Sequence, residues 1–232
     1  MRISYVIPGN LSARSTGAAE VSRRRQLLSD WAFAGSDISA IEVCNGVLAI
    51  ETAYDELLAA PGCIAAIADQ ESQGIDAAIV GCFADPGLDA ARELVSIPVI
   101  GPGEASMLLA AQLGHQFGVL ATLDGQTHAY RAQAFRTGVL PKLVSVRGIN
   151  VSVLHLMADK DVAFRSLVQA GRRAITEDGA DVLVLGCMTL AFMNVSRDLS
   201  DELGVPVVNP AQAALKSAEV LVALGLAHGR RS

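Results

Sequence analysis

The stretch Gly74–Cys82, GIDAAIVGC, recurs as Gly179–Cys187, GADVLVLGC. Each copy reads Gly, one residue, Asp, four apolar residues and Gly-Cys. Four apolar residues in a row describe a strand buried on both faces, as in parallel sheets. The copies are offset by 105 positions, from 82 to 187. A second pair follows in the same order: ELVSIPVIGPGEA (93–105) matches ELGVPVVNPAQA (202–213), now offset by 108 at Ile97 and Val205. Matches in order across both halves imply a two-copy repeat, with a small loop difference absorbing the drift.

Strand-like runs surround these anchors at 3–8, 38–43, 77–82, 97–101, 117–122, 149–156, 181–187 and 205–210. Helix-like stretches separate them, including a pair at 51–59 and 63–73. Regular alternation of this kind predicts right-handed β-α-β units and parallel sheets. The expected fold is α/β: two similar parallel-sheet lobes related by a pseudo-twofold axis, with the active site in the cleft between them. The first lobe takes 1–101 plus 211–232, and the second takes 102–210.

Composition narrows the function classes. The chain has 232 residues, enough for one large or two small domains, and 51% of them are hydrophobic. The net charge is −6 and only 4% of residues are aromatic. The basic run Arg23–Arg25 falls in a helical pattern and GRRS is a tail, so no nucleic-acid face is expected. The N-terminal MRISYVIPGN does not read as a signal peptide, and no apolar run reaches about 18 residues. A cytoplasmic protein without membrane contact is expected. In that reducing compartment Cys44, Cys63, Cys82 and Cys187 read as thiols rather than as a disulfide framework. The four histidines have no metal-ligand spacing.

Cys82 and Cys187 each follow a buried strand directly. In open α/β sheets ligands bind beyond the carboxyl ends of the strands, so both thiols are placed at a functional edge. Asp85 reads as a helix cap and Pro86 as a first-turn residue, putting a helix start near Cys82, and a strand-to-loop-to-helix passage is read after Cys187. A helix start favours the thiolate. Two thiols at equivalent positions on opposite sides of a carbon suit one chemistry: a proton leaves one face and returns to the other. Cys44 and Cys63 read instead as buried small hydrophobes. Glu51 and Asp55 read as a solvated or lobe-contact helix face, and His115 as a cap on helix carbonyls.

These residues resemble the aspartate/glutamate racemase superfamily, in its hydantoin and allantoin racemase branch. GCFADPGLDAARE (81–93) is similar to that branch's first-cysteine motif; AIETAYDE (49–56), IPVIGPGEA (97–105) and FGVLAT (117–122) are similar too. The resemblance implies a racemase without metal or organic cofactor, acting at a carbon next to a carbonyl, with Cys82 and Cys187 as the acid/base pair. It implies backbone N–H donors to the enolate at Phe83, Met188 and Thr189, a hydroxyl at Thr122, and a cleft-closing loop containing Asn10. It also implies a homo-oligomer.

The chain departs from the branch at IPGNLS, where an Asn-rich loop is usual, and at GCMTLAF, where Gly-Cys-Ala-Gly-Met is usual. Apolar Phe83 and Met188 after the cysteines fit a neutral cyclic ureide better than an amino-acid dicarboxylate, which needs donors for its charges. Open alternatives at this level are an aspartate/glutamate-type racemase, a maleate isomerase or arylmalonate decarboxylase relative, and a two-lobed binding protein with no catalysis.

Overall fold

A computed structural model of the chain describes residues 1–13, 17–153, 156 and 159–229, with the side chains of 44–46 outside the description. The chain falls into two compact units, Met1–Pro102 with Ala214–Ser232, and Gly103–Ala213.

The first unit runs β1 (Arg2–Gly9), α1 (Gly17–Trp31), β2 (Asp37–Val47), α2 (Ala53–Ser72), β3 (Ala77–Val80), α3 (Leu88–Leu94) and β4 (Val99–Ile100). Its sheet has the order β2-β1-β3-β4, and every pairing is parallel. Val6, Ala78, Val80 and Val99 of the sheet pack against Cys63 and Ile67 of α2 and Leu88 and Ala91 of α3. Such burial drives the fold, since each apolar side chain removed from water stabilises it by about 1.5–3 kcal/mol.

The second unit contains nearly all of α4 (Pro102–Leu113), then β5 (Phe117–Ala121), α5 (Thr127–Arg136), β6 (Leu143–Gly148), α6 (Lys160–Thr176), β7 (Val182–Leu185), α7 (Met188–Phe192), α8 (Ser196–Leu203), β8 (Val207–Val208) and the start of α9 (Pro210–Ala223). Its sheet has the order β6-β5-β7-β8, again all parallel. The two strand orders are therefore the same order with each number raised by four. Register agrees as well: Val6 pairs with Val80, and Leu120 with Leu185.

The repeated nonapeptide now has a physical reading at each position. Gly74 (φ 78°) and Gly179 (φ 77°) take the left-handed conformation that follows a helix end and that a side chain resists. Asp76 accepts from Arg2 N at 2.7 Å; Asp181 accepts from His115 N and Gln116 N, both at 2.9 Å. Each aspartate thus pins the start of the neighbouring strand. The four apolar residues that follow are fully buried as β3 and β7.

Four sequence expectations change. The strand expected at 149–156 is β6, ending at Gly148, while 149–153 is irregular and 154–155 lie outside the described residues. β6 is an edge strand, half exposed, so it tolerates Ser145 and Arg147, and continuous apolarity misplaced it. The helices expected at 51–59 and 63–73 are one, α2, with Pro61 inside it. The helix passes close to β2 there: a Cβ on Gly62 would lie 2.5 Å from Val43 Cγ1. Glu51 precedes α2 and does not share a helix face with Asp55, which closes a capping box with Thr52 in the solvent-facing first turn. His115 does not cap α4; Lys142 Nζ donates to the carbonyls of Ala111 (2.6 Å) and Gly114 (2.9 Å).

No described helix is long and apolar enough to cross a membrane. Two arginines of the basic run, Arg23 and Arg24, pair with Glu20 on their own helix, each at 2.8 Å.

Candidate active site

β3 and β7 both deliver a Gly-Cys step at their carboxyl ends. Gly81 N donates to Val6 O at 2.7 Å, and Gly186 N donates to Leu120 O at 2.8 Å. These bonds prolong each ladder by one residue and carry the chain close under its neighbour. A Cβ on Gly81 would lie 2.6 Å from Val6 O and 3.0 Å from Tyr5 Cζ. On Gly186 it would lie 2.7 Å from Val119 Cγ1 and 3.1 Å from Leu120 O. A methyl at Gly81 meets a backbone carbonyl and at Gly186 a valine methyl, so any side chain at either step forces its neighbours to move.

The carbonyls of the two glycines are held by phenols. Tyr5 OH donates to Gly81 O at 3.2 Å, and Tyr130 OH donates to Gly186 O at 2.6 Å. Both rings are buried. Behind Tyr130 stands Gln126, whose Oε1 accepts from Thr122 Oγ1 at 2.8 Å and from Leu123 N at 3.2 Å. Neither tyrosine is among the site residues expected from the sequence. A Tyr inside a buried strand, where its hydroxyl must find a partner, was the available signal for Tyr5.

Cys82 and Cys187 are half-buried, neither is in a disulfide, and Cys187 packs at the edge of the second unit's core. Their exits differ. After Cys82 the chain makes two turns, Asp85 N to Cys82 O (3.1 Å) and Leu88 N to Asp85 O (3.2 Å). Asp85 (φ 56°) and Gly87 (φ 73°) are left-handed there. Asp85 is therefore not the helix cap expected from its position. α3 starts later, with Gly87 at its cap, and the Asp85 carboxylate lies against Gly101, where a Cβ would meet its Cγ at 2.5 Å. After Cys187 no loop intervenes: Cys187 itself is the extended cap residue and α7 begins at Met188. Met188 and Thr189 stand in the first turn of α7, where N–H groups point out of the helix end.

Phe83 and Met188 are buried, at 2% and 4% exposure. Thr122 is fully buried, and its hydroxyl proton goes to Gln126. Asn10 Oδ1 accepts from Ala13 N at 3.0 Å, closing the short 3-10 turn Leu11–Ala13. Cys63 is fully buried in α2, and burial pushes its thiol up to about 12. It packs as a small hydrophobe. The Cys44 side chain lies outside the described residues. Among the described residues no three His, Cys, Asp or Glu side chains are grouped as metal ligands.

Two parallel α/β units that each end a central strand on Gly-Cys define a class of protein. Residues 15–218 match the family model described as Asp/Glu/Hydantoin racemase. The chain is 35% identical to a hydantoin racemase of Paenarthrobacter aurescens over 226 residues, covering 97% of this chain and 92% of the relative. Among solved structures it is similar to an allantoin racemase from Klebsiella pneumoniae, with 33% identity, a TM-score of 0.90, and coverage of 99% of this chain and 90% of that one. An allantoin racemase from Pseudomonas fluorescens gives 29% identity and a TM-score of 0.89, covering 99% of this chain and 94% of that one. The chain belongs to the Asp/Glu/Hydantoin racemase family. It is an isomerase, a racemase, and the non-catalytic binding reading is set aside.

Proposed function

We propose that the chain racemises a neutral cyclic ureide, a 5-substituted hydantoin or allantoin, by two-base proton transfer between Cys82 and Cys187. One cysteine, as thiolate, takes the proton from the ring carbon and becomes a thiol. The C–H electron pair moves to the adjacent carbonyl as an enolate. The other cysteine, as thiol, gives its proton to the opposite face and becomes a thiolate while the carbonyl re-forms. Protons and charge balance within the pair, so the cycle calls on no metal or organic cofactor.

Backbone N–H groups of Phe83, Met188 and Thr189 are the donors to the developing enolate oxygen, where fixed dipoles contribute most. Thr122, with its proton given to Gln126, serves as an acceptor for a ring N–H. Asn10 supplies a hydrogen bond to a ring carbonyl. Phe83 and Met188 give the ring side group apolar walls in place of the charged donors a dicarboxylate needs.

The observation that carries this reading is the equivalence of the two Gly-Cys steps: same strand order, same register, same close approach, on β3 and on β7. The test uses single enantiomers of benzylhydantoin, allantoin and aspartate in deuterated water, following optical rotation and loss of the C–H signal. Both ureides are to racemise and aspartate is not; racemisation of aspartate alone refutes the substrate class. Cys82→Ser and Cys187→Ser are each to lose racemisation by at least about a thousandfold. Each is to retain exchange of one enantiomer only, opposite between the two variants. Full racemisation in either variant refutes the two-base mechanism.

A further inference from the structure

Beyond Gly81 and Gly186 the sheets no longer hold the backbone. On the far side of β3 the ladder ends at the Ile79–Ile100 pair, and on the far side of β7 at Val184–Val208. The peptide joining each glycine to its cysteine therefore projects past the sheet. Rotating that peptide plane about the glycine ψ swings the cysteine Cα–Cβ bond, and with it the sulfur. In each unit one buried phenol donates to the carbonyl of this peptide: Tyr5 to Gly81 O and Tyr130 to Gly186 O.

The two phenols are not copies of each other. Tyr5 lies in β1 and pairs with Ile79; the residue in that place in the second unit is Val119, which pairs with Val184. Val119 Cγ1 would lie 2.7 Å from a Cβ on Gly186, with Tyr130 Cε2 at 3.1 Å, but valine has no hydroxyl to offer. The second unit recovers the hydrogen bond from a different element, α5, through Tyr130. A contact carried along passively by the repeat would come from equivalent residues. One rebuilt from a strand in one unit and a helix in the other marks a need shared by both Gly-Cys peptides.

We propose that Tyr5 and Tyr130 are positioning residues, each setting the aim of one thiol by fixing the Gly-Cys peptide plane: Tyr5 for Cys82, Tyr130 for Cys187. This rests on the two-cysteine reading above. Neither phenol exchanges a proton with substrate. Their service is geometric, and proton transfer is steeply sensitive to donor–acceptor placement, with a misplacement of about 1 Å costing about a hundredfold.

The experiment uses the full chain carrying Tyr5→Phe or Tyr130→Phe, which keeps the ring and removes only the hydroxyl. With an enantiopure 5-substituted hydantoin, kcat is to fall by about tenfold or more while KM stays within about twofold. Iodoacetamide rates at each cysteine, resolved by peptide mass spectrometry across pH, give a second reading. Tyr5→Phe is to displace the Cys82 profile and leave Cys187 in place; Tyr130→Phe is to do the reverse. Wild-type kcat with unmoved profiles overturns the proposal, and so does an equal change at both cysteines, which reports general loosening. Urea midpoints show whether each variant folds. Should one not fold, uniform 3-fluorotyrosine labelling retains every hydroxyl while changing its acidity. Both profiles are then to move, and unmoved profiles overturn the proposal. Because alkylation is read without turnover, the two-base mechanism can fail in the serine variants while the clamp is still judged on its own thiol.

Discussion

The turn after Cys82 and the turn after Cys187 begin alike and end differently. Both start from a buried strand, a glycine pressed against its neighbour and a carbonyl held by a phenol. From there the first unit takes two tight turns through left-handed Asp85 and Gly87 before α3, while the second enters α7 at once. The second unit then needs left-handed Asn194 (φ 59°) and a further helix, α8, to reach β8, and the drift of the repeat from 105 to 108 arises in this stretch. The repeat has kept what places the thiol and released what leads away from it.

The largest expected effect concerns a thiol that lies on neither turn. Cys63, with its thiol raised from 9.0 to about 12 by burial, is to react with iodoacetamide about a thousandfold more slowly in the native protein than in urea. Cys82 and Cys187 are both to react ahead of it. Labelling of Cys63 first would remove the contrast between turn thiols and core thiols.

Next comes the close approach at the glycines. Gly81→Ala is to lose about 2–3 kcal/mol in urea unfolding and Gly186→Ala about 1–2 kcal/mol. The order follows from what each methyl meets first: the Val6 carbonyl in the first unit, which cannot step aside, and a Val119 methyl in the second, which can shift. Equal losses would show that the two steps are packed with the same tolerance.

The smallest effect tests the paired aspartates. Backbone N–H groups of Gln116 and then His115 hold the Asp181 carboxyl below the usual carboxylate range. A depressed folded value contributes stability that is present above the unfolded value, about 3.9, and is lost as pH falls through the folded one. Asp181→Asn is therefore to cost under about 1 kcal/mol at pH 7, since the group is partly exposed and screened by solvent. The gap from wild type is to close below about pH 4. A gap that persists at pH 2 would mean that the hydrogen bonds act without the charge.

Much of this architecture was legible in the sequence because central parallel strands are buried on both faces and must be written as apolar runs. β3 and β7 are such strands, and the Gly and Asp before them and the Gly-Cys after them are forced by backbone needs that leave letters in the chain. β6 was misplaced because an edge strand is half solvated and carries Ser145 and Arg147, whereas the apolar run after it is irregular. The Asp85 cap failed because a carboxylate three residues before a helix reads the same whether it caps or turns. Tyr130 could not be found from the repeat at all: its partner Gly186 is 56 residues away, and the equivalent of Tyr5 is a valine.

The path of α9 has a consequence for how the molecule is made. From Ala214 onward this helix belongs to the first unit, although the whole second unit lies between it and β4. Its Glu219, with 0% exposure, accepts from Phe33 N at 2.6 Å and Ser36 Oγ at 2.9 Å. Those bonds join positions more than 180 residues apart in the chain. On a ribosome, Gly103–Ala213 is an uninterrupted segment that emerges with all four of its strands in hand. The unit that begins earlier, by contrast, must wait with Phe33 and Ser36 unbonded to Glu219 until the later one has been translated. Birth order and completion order are thus reversed between the two halves of the repeat, which makes the half that carries Cys82 the later one to close its core.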